Sequence, residues 1–187
     1  MKYRNTVMIL ALFGAVTMMT GCGQSIDDNF TFGSGRIFCA NRVLTVEAPF
    51  PFGVKGKMSE SAARDVSSVE AEGHNRYTQI LVMGDAGKTD SKGKADEALT
   101  KLKMNPYVSD LSSSVDAVTV DGSPAVKLTV SFTDTERGKR TPLSVEEYIF
   151  EKDGVLWRVV YQYLTGDETG RELVSRVSGK IRFGSHF

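Results

Sequence analysis

Reactive side chains are scarce in this chain. Its 187 residues hold two cysteines, Cys22 and Cys39, and two histidines, His74 and His186. A Ser-His-Asp triad would have to be built on His74, because His186 lies in the terminal tail. No Gly-x-Ser-x-Gly elbow occurs, and the "GSG" of Gly33–Gly35 lacks its spacing. Asp85 and Asp90 do not fall into the alternating Asp/Asn order of a calcium loop. Glu70, Glu72 and His74 alternate along a strand end, whereas zinc takes three or four converging ligands, so they read as a solvated hairpin tip. Basic and acidic side chains number 23 each, which leaves no surplus positive charge for a nucleic-acid surface. The expectation is a protein with no catalytic residues, no cofactor, no metal and no nucleic-acid partner.

One stretch imitates a nucleotide site. In "ILVMGDAGKTDSKGK", Ile80–Lys94, an apolar run leads into Gly-Lys-Thr and then a helical pattern. A phosphate-binding loop of the Walker type needs a glycine five residues before Gly87, and that position is Val82. Gly84, Gly87 and Gly93 are therefore read as residues of a strand-to-helix loop, with no nucleotide bound.

The amino terminus carries the most specific signal. Lys2 and Arg4 precede an uncharged apolar run from Val7 to Val16, the layout of an export signal, and the run is shorter than the roughly 20 residues of a spanning helix. It ends in Met19-Thr20-Gly21-Cys22, which resembles the bacterial lipobox, where small residues precede a cysteine that is acylated and becomes the new terminus. Acyl chains contribute about 0.8 kcal/mol per buried methylene, enough for two or three of them to anchor a domain. Residues 1–21 are thus expected to be a lipoprotein signal peptide and Cys22 the lipid attachment site. The alternative is a secreted protein with a Cys22–Cys39 disulfide. If Cys22 is acylated, Cys39 reads as a small buried residue. Removal of Lys2 and Arg4 leaves 21 basic against 23 acidic side chains, a mature net charge of about −2. The stretch "GQSIDDNFTFGSGR" lacks periodicity, so residues 22–41 are expected to be the lipidated cysteine and a flexible tether with a span on the order of 20 Å.

From residue 42 onward the pattern is regular. Arg42–Ala48 alternates as a half-buried strand that stops at Pro49 and Pro51. Val66–Ala71 and Tyr77–Met83 read as a hairpin. In "SKGKADEALTKLKMNP", Ala95, Ala98, Leu99 and Leu102 recur at helical spacing, with Asp90 or Ser91 as cap. Four strands follow as a meander, Val115–Val120, Ala125–Thr133, Leu143–Glu151 and Val155–Leu164, joined by "DGSP", "DTERGKR" and "KDG". The second turn, with Arg137, Lys139 and Arg140, is a charged and solvated tip. A second helix places Leu173, Val174 and Val177 on one face, stops near Gly179, and gives way to the extended "KIRF". In "VLWRVVYQYL", Trp157, Val159, Tyr161 and Tyr163 fall on one side and Leu156, Val160 and Leu164 on the other, so both faces of that strand need cover.

The segments "VLTVEAPFPF", "VDAVTVDGSPAVKLTVSF", "EEYIFEKDGVLWRVVYQYL" and "ELVSRVSGKIRF" together resemble the PsbP/Mog-type family. The resemblance implies an α+β fold, an α/β/α sandwich whose central antiparallel meander sheet is covered by helices on both faces, as one domain over residues 42–187. It also implies action by binding partners rather than by catalysis. The expected protein is a lipid-anchored module of the cell envelope, facing outside the cytoplasm, not an enzyme, attached to the membrane through Cys22 and serving a protein partner or an assembly. A carrier of a small ligand or metal, and an envelope hydrolase without a recognisable motif, are the alternatives.

Overall fold

The computed structural model of the chain describes residues 25–54, 66–136 and 138–184. In chain order the elements are α1 (Ile26–Asn29), β1 (Gly33–Cys39), β2 (Arg42–Ala48), β3 (Gly53–Val54), β4 (Ser68–His74), β5 (Thr78–Ala86), α2 (Ser91–Met104), β6 (Val108–Val120), β7 (Ser123–Asp134), β8 (Thr141–Lys152), β9 (Val155–Leu164), α3 (Glu168–Ser178) and β10 (Arg182–Phe183). They form two antiparallel sheets, one of three strands in the order β1-β2-β10 and one of seven in the order β3-β4-β5-β9-β8-β7-β6. After β5 the chain crosses through α2 to the far edge, then meanders back from β6 to β9, which pairs with β5.

This architecture corrects the expected α/β/α sandwich. The described residues are 54% strand and 20% helix, and the layer facing one side of the large sheet is itself a sheet. Ile37, Cys39, Leu44, Val46 and Ala48 of the small sheet are buried in one cluster with Val69, Ala71, Ile80, Val82, Trp157, Val159 and Tyr161 of the large one. The helix α3 joins the same cluster through Val174 and Val177. Fully burying such side chains contributes about 1.5–3 kcal/mol each. The opposite face receives α2, whose Ala98 and Leu102 pack on Leu128, Val130, Phe132 and Leu143 of β7 and β8, while Ala95 meets Ile149 and Leu156. Leu99, expected on this inner face, is half-buried and belongs to neither cluster. Each face of the large sheet is thus covered over a different half: one above β4, β5 and β9 by a sheet and a helix, the other below β6, β7 and β8 by a helix alone.

The source of the discrepancy is β1. It lies within the segment read as a tether, yet it pairs with β2 over its whole length, from Gly33 opposite Ala48 to Cys39 opposite Arg42. The linking residues Ala40 and Asn41 have φ of 48° and 59°. Two central residues at positive φ are what a tight two-residue hairpin turn of primed type requires, and its twist matches the flanking strands. The same device joins β6 to β7 at Asp121-Gly122 and β8 to β9 at Asp153-Gly154.

The residues ahead of β1 are also packed. Arg176 of α3 donates from Nε to Asp27 Oδ1 at 3.0 Å and from Nη1 to Glu47, with its guanidinium 4.7 Å from the centre of the Phe32 ring. Phe30 meets Tyr77 edge-on at 5.7 Å. The single turn α1 is therefore held to α3 and to the β4–β5 turn by two aromatic rings and one shared arginine.

The sheet ends on one side at the two-residue β3 and on the other at the thirteen-residue β6. A bulge between Ser109 and Ser112 interrupts β6, where Asp110 has φ 55°.

Candidate functional site

The face of the large sheet on which the small sheet lies carries a polar strip where that cover ends. Period-two alternation puts Lys127, Thr129 and Ser131 of β7, Ser144, Glu146 and Tyr148 of β8, and Tyr161 and Tyr163 of β9 on the same face, with their apolar neighbours turned toward α2. Lys127 Nζ lies 2.8 Å from Glu146 Oε2 and 5.4 Å from the centre of the Tyr148 ring. The Tyr148 hydroxyl donates to the same carboxylate oxygen at 3.4 Å. Further along, Ser144 Oγ is 2.9 Å from Thr165 Oγ1 and 3.4 Å from Ser131 Oγ. Lys127 and Glu146 are each about a quarter exposed or less, at 26% and 19%, so the pair is partly withdrawn from water yet reachable.

Partial burial alone would lower the Lys127 ammonium, but the bond to Glu146 and its charge outweigh this and raise it above the usual lysine value. Burial pushes Tyr161 well above the ordinary tyrosine range, with the nearby Tyr148 and Glu146 adding to it. Burial and then the Glu146 charge raise Tyr163 as well. The strip therefore sets a Lys127 ammonium, held above its usual value, beside Glu146 and next to two tyrosine hydroxyls, Tyr161 and Tyr163, that are held above theirs. Ser144 is bonded to the hydroxyls of Ser131 and Thr165, and a hydroxyl is a poor acceptor of a serine proton. The Tyr161 hydroxyl is buried and has no hydrogen-bond partner among the described residues.

Cys22, the expected lipid attachment site, lies outside the described residues, as do His186 and Arg137. Cys39 is a free, buried thiol, and burial followed by the charge of Asp85 pushes it up to about 11. The nucleotide-like stretch resolves into packing: a Cβ on Gly84 would come within 2.8 Å of the Trp157 ring, and Gly87 has φ 76° and donates its N–H to Gly154 O. Asp90 accepts from the Gly93 N–H at 2.7 Å and caps α2. Its strand β5 has antiparallel neighbours on both sides, so the parallel crossover of a phosphate loop is not the one built here. Glu70, Glu72 and His74 alternate on β4 opposite Met83, Leu81 and Gln79. Among the described residues no three acidic, histidine or cysteine side chains converge as a metal site would need. Trp157 and Tyr161 are core residues, while Tyr163 is half-buried at the strip. Arg140 pairs with Asp110 at 3.0 Å.

Lys127, Glu146 and Ser144 were not singled out by sequence. Their signal is the alternation in "VKLTVS" and "SVEEY", where every second residue is polar on strands otherwise built for a core.

Among the described residues no helix is long and apolar enough to cross a membrane. No protein-family model matches the chain, so the PsbP/Mog-type resemblance gains no support there, and no curated protein sequence matches it. Sixteen chains among solved structures do match. A Bacteroides thetaiotaomicron protein solved at 1.50 Å is similar at 11% identity over 76% of this chain and 45% of its own, with a TM-score of 0.43. This chain therefore spans less than half the length of that one. LpqN, involved in cell envelope biogenesis of Mycobacterium tuberculosis, is similar at 14% identity over 88% of this chain and 100% of its own, with a TM-score of 0.47. Both TM-scores fall below 0.5, and neither likeness carries an argument about what this chain does.

Proposed function

We propose that this chain is a lipid-anchored module of the cell envelope that binds a protein partner or supports an envelope assembly without catalysing a reaction, and that the polar strip on β7, β8 and β9 is its contact surface. The observation that carries the binding role is the Lys127–Glu146 pair flanked by hydroxyls already bonded to one another. Such groups are held in place before any partner arrives, which lowers the ordering cost of association. The envelope setting rests on the lipobox-like Met19-Thr20-Gly21-Cys22. It is compatible with the likeness to LpqN, which is too distant to argue from.

Two measurements test this reading. Fatty-acid labelling should mark the wild type and be lost in Cys22→Ala; equal labelling of both would sink the anchor. A photo-crosslinking residue in place of Thr129, on the strip, should give a discrete adduct in intact cells, whereas one in place of Lys101, on α2, should not. Identical adducts from both positions would remove the strip from the proposal.

A small-ligand carrier is the second reading, favoured by the buried and unpartnered Tyr161 hydroxyl beside Tyr148 and Glu146. A bound polar molecule reaching beneath Tyr148 would satisfy it.

A further inference from the structure

We infer that Ser25–Phe32 is a docked collar, and that it holds one particular end of the domain against a lipid surface. The inference rests on the reading of Cys22 as lipidated. From Cys22 to Ser25 the backbone takes three steps, which reach at most about 11 Å. A long coil would let the domain turn in any direction, but from Ser25 onward the expected tether is built into α1 and β1. Asp27 and Phe32 are fastened to Arg176, and Phe30 to Tyr77.

These contacts say which end lies close to the anchor. Tyr77 immediately precedes β5, whose first residue Thr78 pairs with Tyr163 near the end of β9. The backbone carbonyl of Tyr77 lies close to Gly170, in the first turns of α3. The near end therefore comprises α1, the Asn75–Tyr77 turn, Gly166 and the start of α3. The other end comprises the turns Asp121-Gly122 and Asp153-Gly154 and the loop at Gly87, whose N–H bonds to Gly154. The two ends are separated by the length of β8, twelve residues or about 40 Å. With a link of about 11 Å, the near end is kept at the lipid surface and the far turns stand away from it. The strip runs from Lys127 and Tyr148 toward the near end, where Ser144 and Tyr163 lie, and is then presented sideways, facing along the membrane.

The test uses lipidated protein purified from membranes and reconstituted in phosphatidylethanolamine–phosphatidylglycerol vesicles that contain a headgroup-quencher lipid. A thiol-reactive fluorophore is placed by Glu168→Cys at the near end, by Lys88→Cys at the far end and by Lys101→Cys on α2; Cys39 is buried and Cys22 is blocked by its lipid. Quenching should be several-fold greater at position 168 than at position 88, with position 101 between them. Comparable quenching at positions 168 and 88, or stronger quenching at 88, overturns the orientation. Asp27→Ala combined with Phe30→Ala should undock the collar and bring the two positions toward equality, with the melting temperature of the domain little changed. An unchanged difference in that variant, once folded by its melt, shows that the collar does not set the orientation. Fatty-acid labelling of each preparation separates the two failures: unlabelled protein overturns the anchored reading itself, whereas labelled protein with equal quenching overturns the collar alone.

Discussion

The Tyr148 ring meets the Tyr161 ring edge-on, with centroids 6.0 Å apart, and the Tyr161 hydroxyl ends in the core without a hydrogen-bond partner among the described residues. A buried hydroxyl left unpaired costs about 1–3 kcal/mol. Tyr161→Phe keeps the ring and its contacts, so the variant should be more stable than the wild type by about 1 kcal/mol in denaturant titration. A loss of stability on the same substitution would mean that the hydroxyl is bonded in solution, and would favour the small-ligand reading.

On the other face of the sheet, Arg158 donates from Nε to Glu147 and from Nη1 to Met83 Sδ at 3.7 Å. The Glu147 side chain is 5% exposed and that of Arg158 18%. Removing one member of an enclosed pair leaves the other charge uncompensated, so Glu147→Ala should cost about 3 kcal/mol. The double change Glu147→Leu with Arg158→Met should cost much less, because no charge is then stranded. Equal losses in the two proteins would contradict this account.

Helix α2 allows a comparison between neighbours. Leu102 packs on the cluster of Leu128, Val130, Phe132 and Leu143, whereas Leu99 stands outside it. Leu102→Asp should therefore lower stability by about 2–4 kcal/mol, and Leu99→Asp by less than about 1 kcal/mol. Thermal melts of the two variants check the order, and its reversal would mean that the helix presents a different stripe to the sheet.

Cys39 supplies a dependence on pH. Its thiol is pushed up to about 11 by burial and then by Asp85, while a free thiol titrates near 8.5. Because the folded value is the higher one, its contribution is complete below about pH 8.5 and is lost as pH rises through about 11. The stability of the wild type should fall over that window more steeply than that of Cys39→Ala. At pH 8 the native thiol should resist alkylating reagents until the domain unfolds. Parallel curves for the two proteins would remove Cys39 as the titrating group.

The three tight turns show why part of this fold was legible and part was not. Asp121-Gly122 and Asp153-Gly154 announce positive φ through glycine, and the hairpins around them were expected at the right places. Ala40-Asn41 adopts the same conformation with no glycine, in a strand that begins "GSG" and shows little alternation. Its pairing is decided by Ile37 and Cys39 reaching the core, which is a tertiary effect that local pattern does not carry. The missing strand supplied the second sheet, so one unread turn changed the architecture from helices on both faces to sheet on sheet. The polar strip was hidden for a different reason. Lys127 and Glu146 look like ordinary outward residues until the register sets them on one face, two strands and one strand beyond β9, where the small sheet's cover ends.

The bulge in β6 bears on the behaviour of the protein in crowded solution. An open sheet edge offers a row of unpaired backbone groups onto which a foreign strand can crystallise, and the longer and flatter the row, the stronger the template for fibrous aggregation. Thirteen residues with only two charged side chains, Asp110 and Asp116, would be a long template. The irregularity between Ser109 and Ser112 cuts it short, and Asp110, turned out of the extended conformation, places a carboxylate at the break. An incoming chain in straight register meets a kink on one side and the exposed Asp116 further on. The same local distortion that spoils a regular ladder therefore shortens the run of backbone on which a strand from another chain could add.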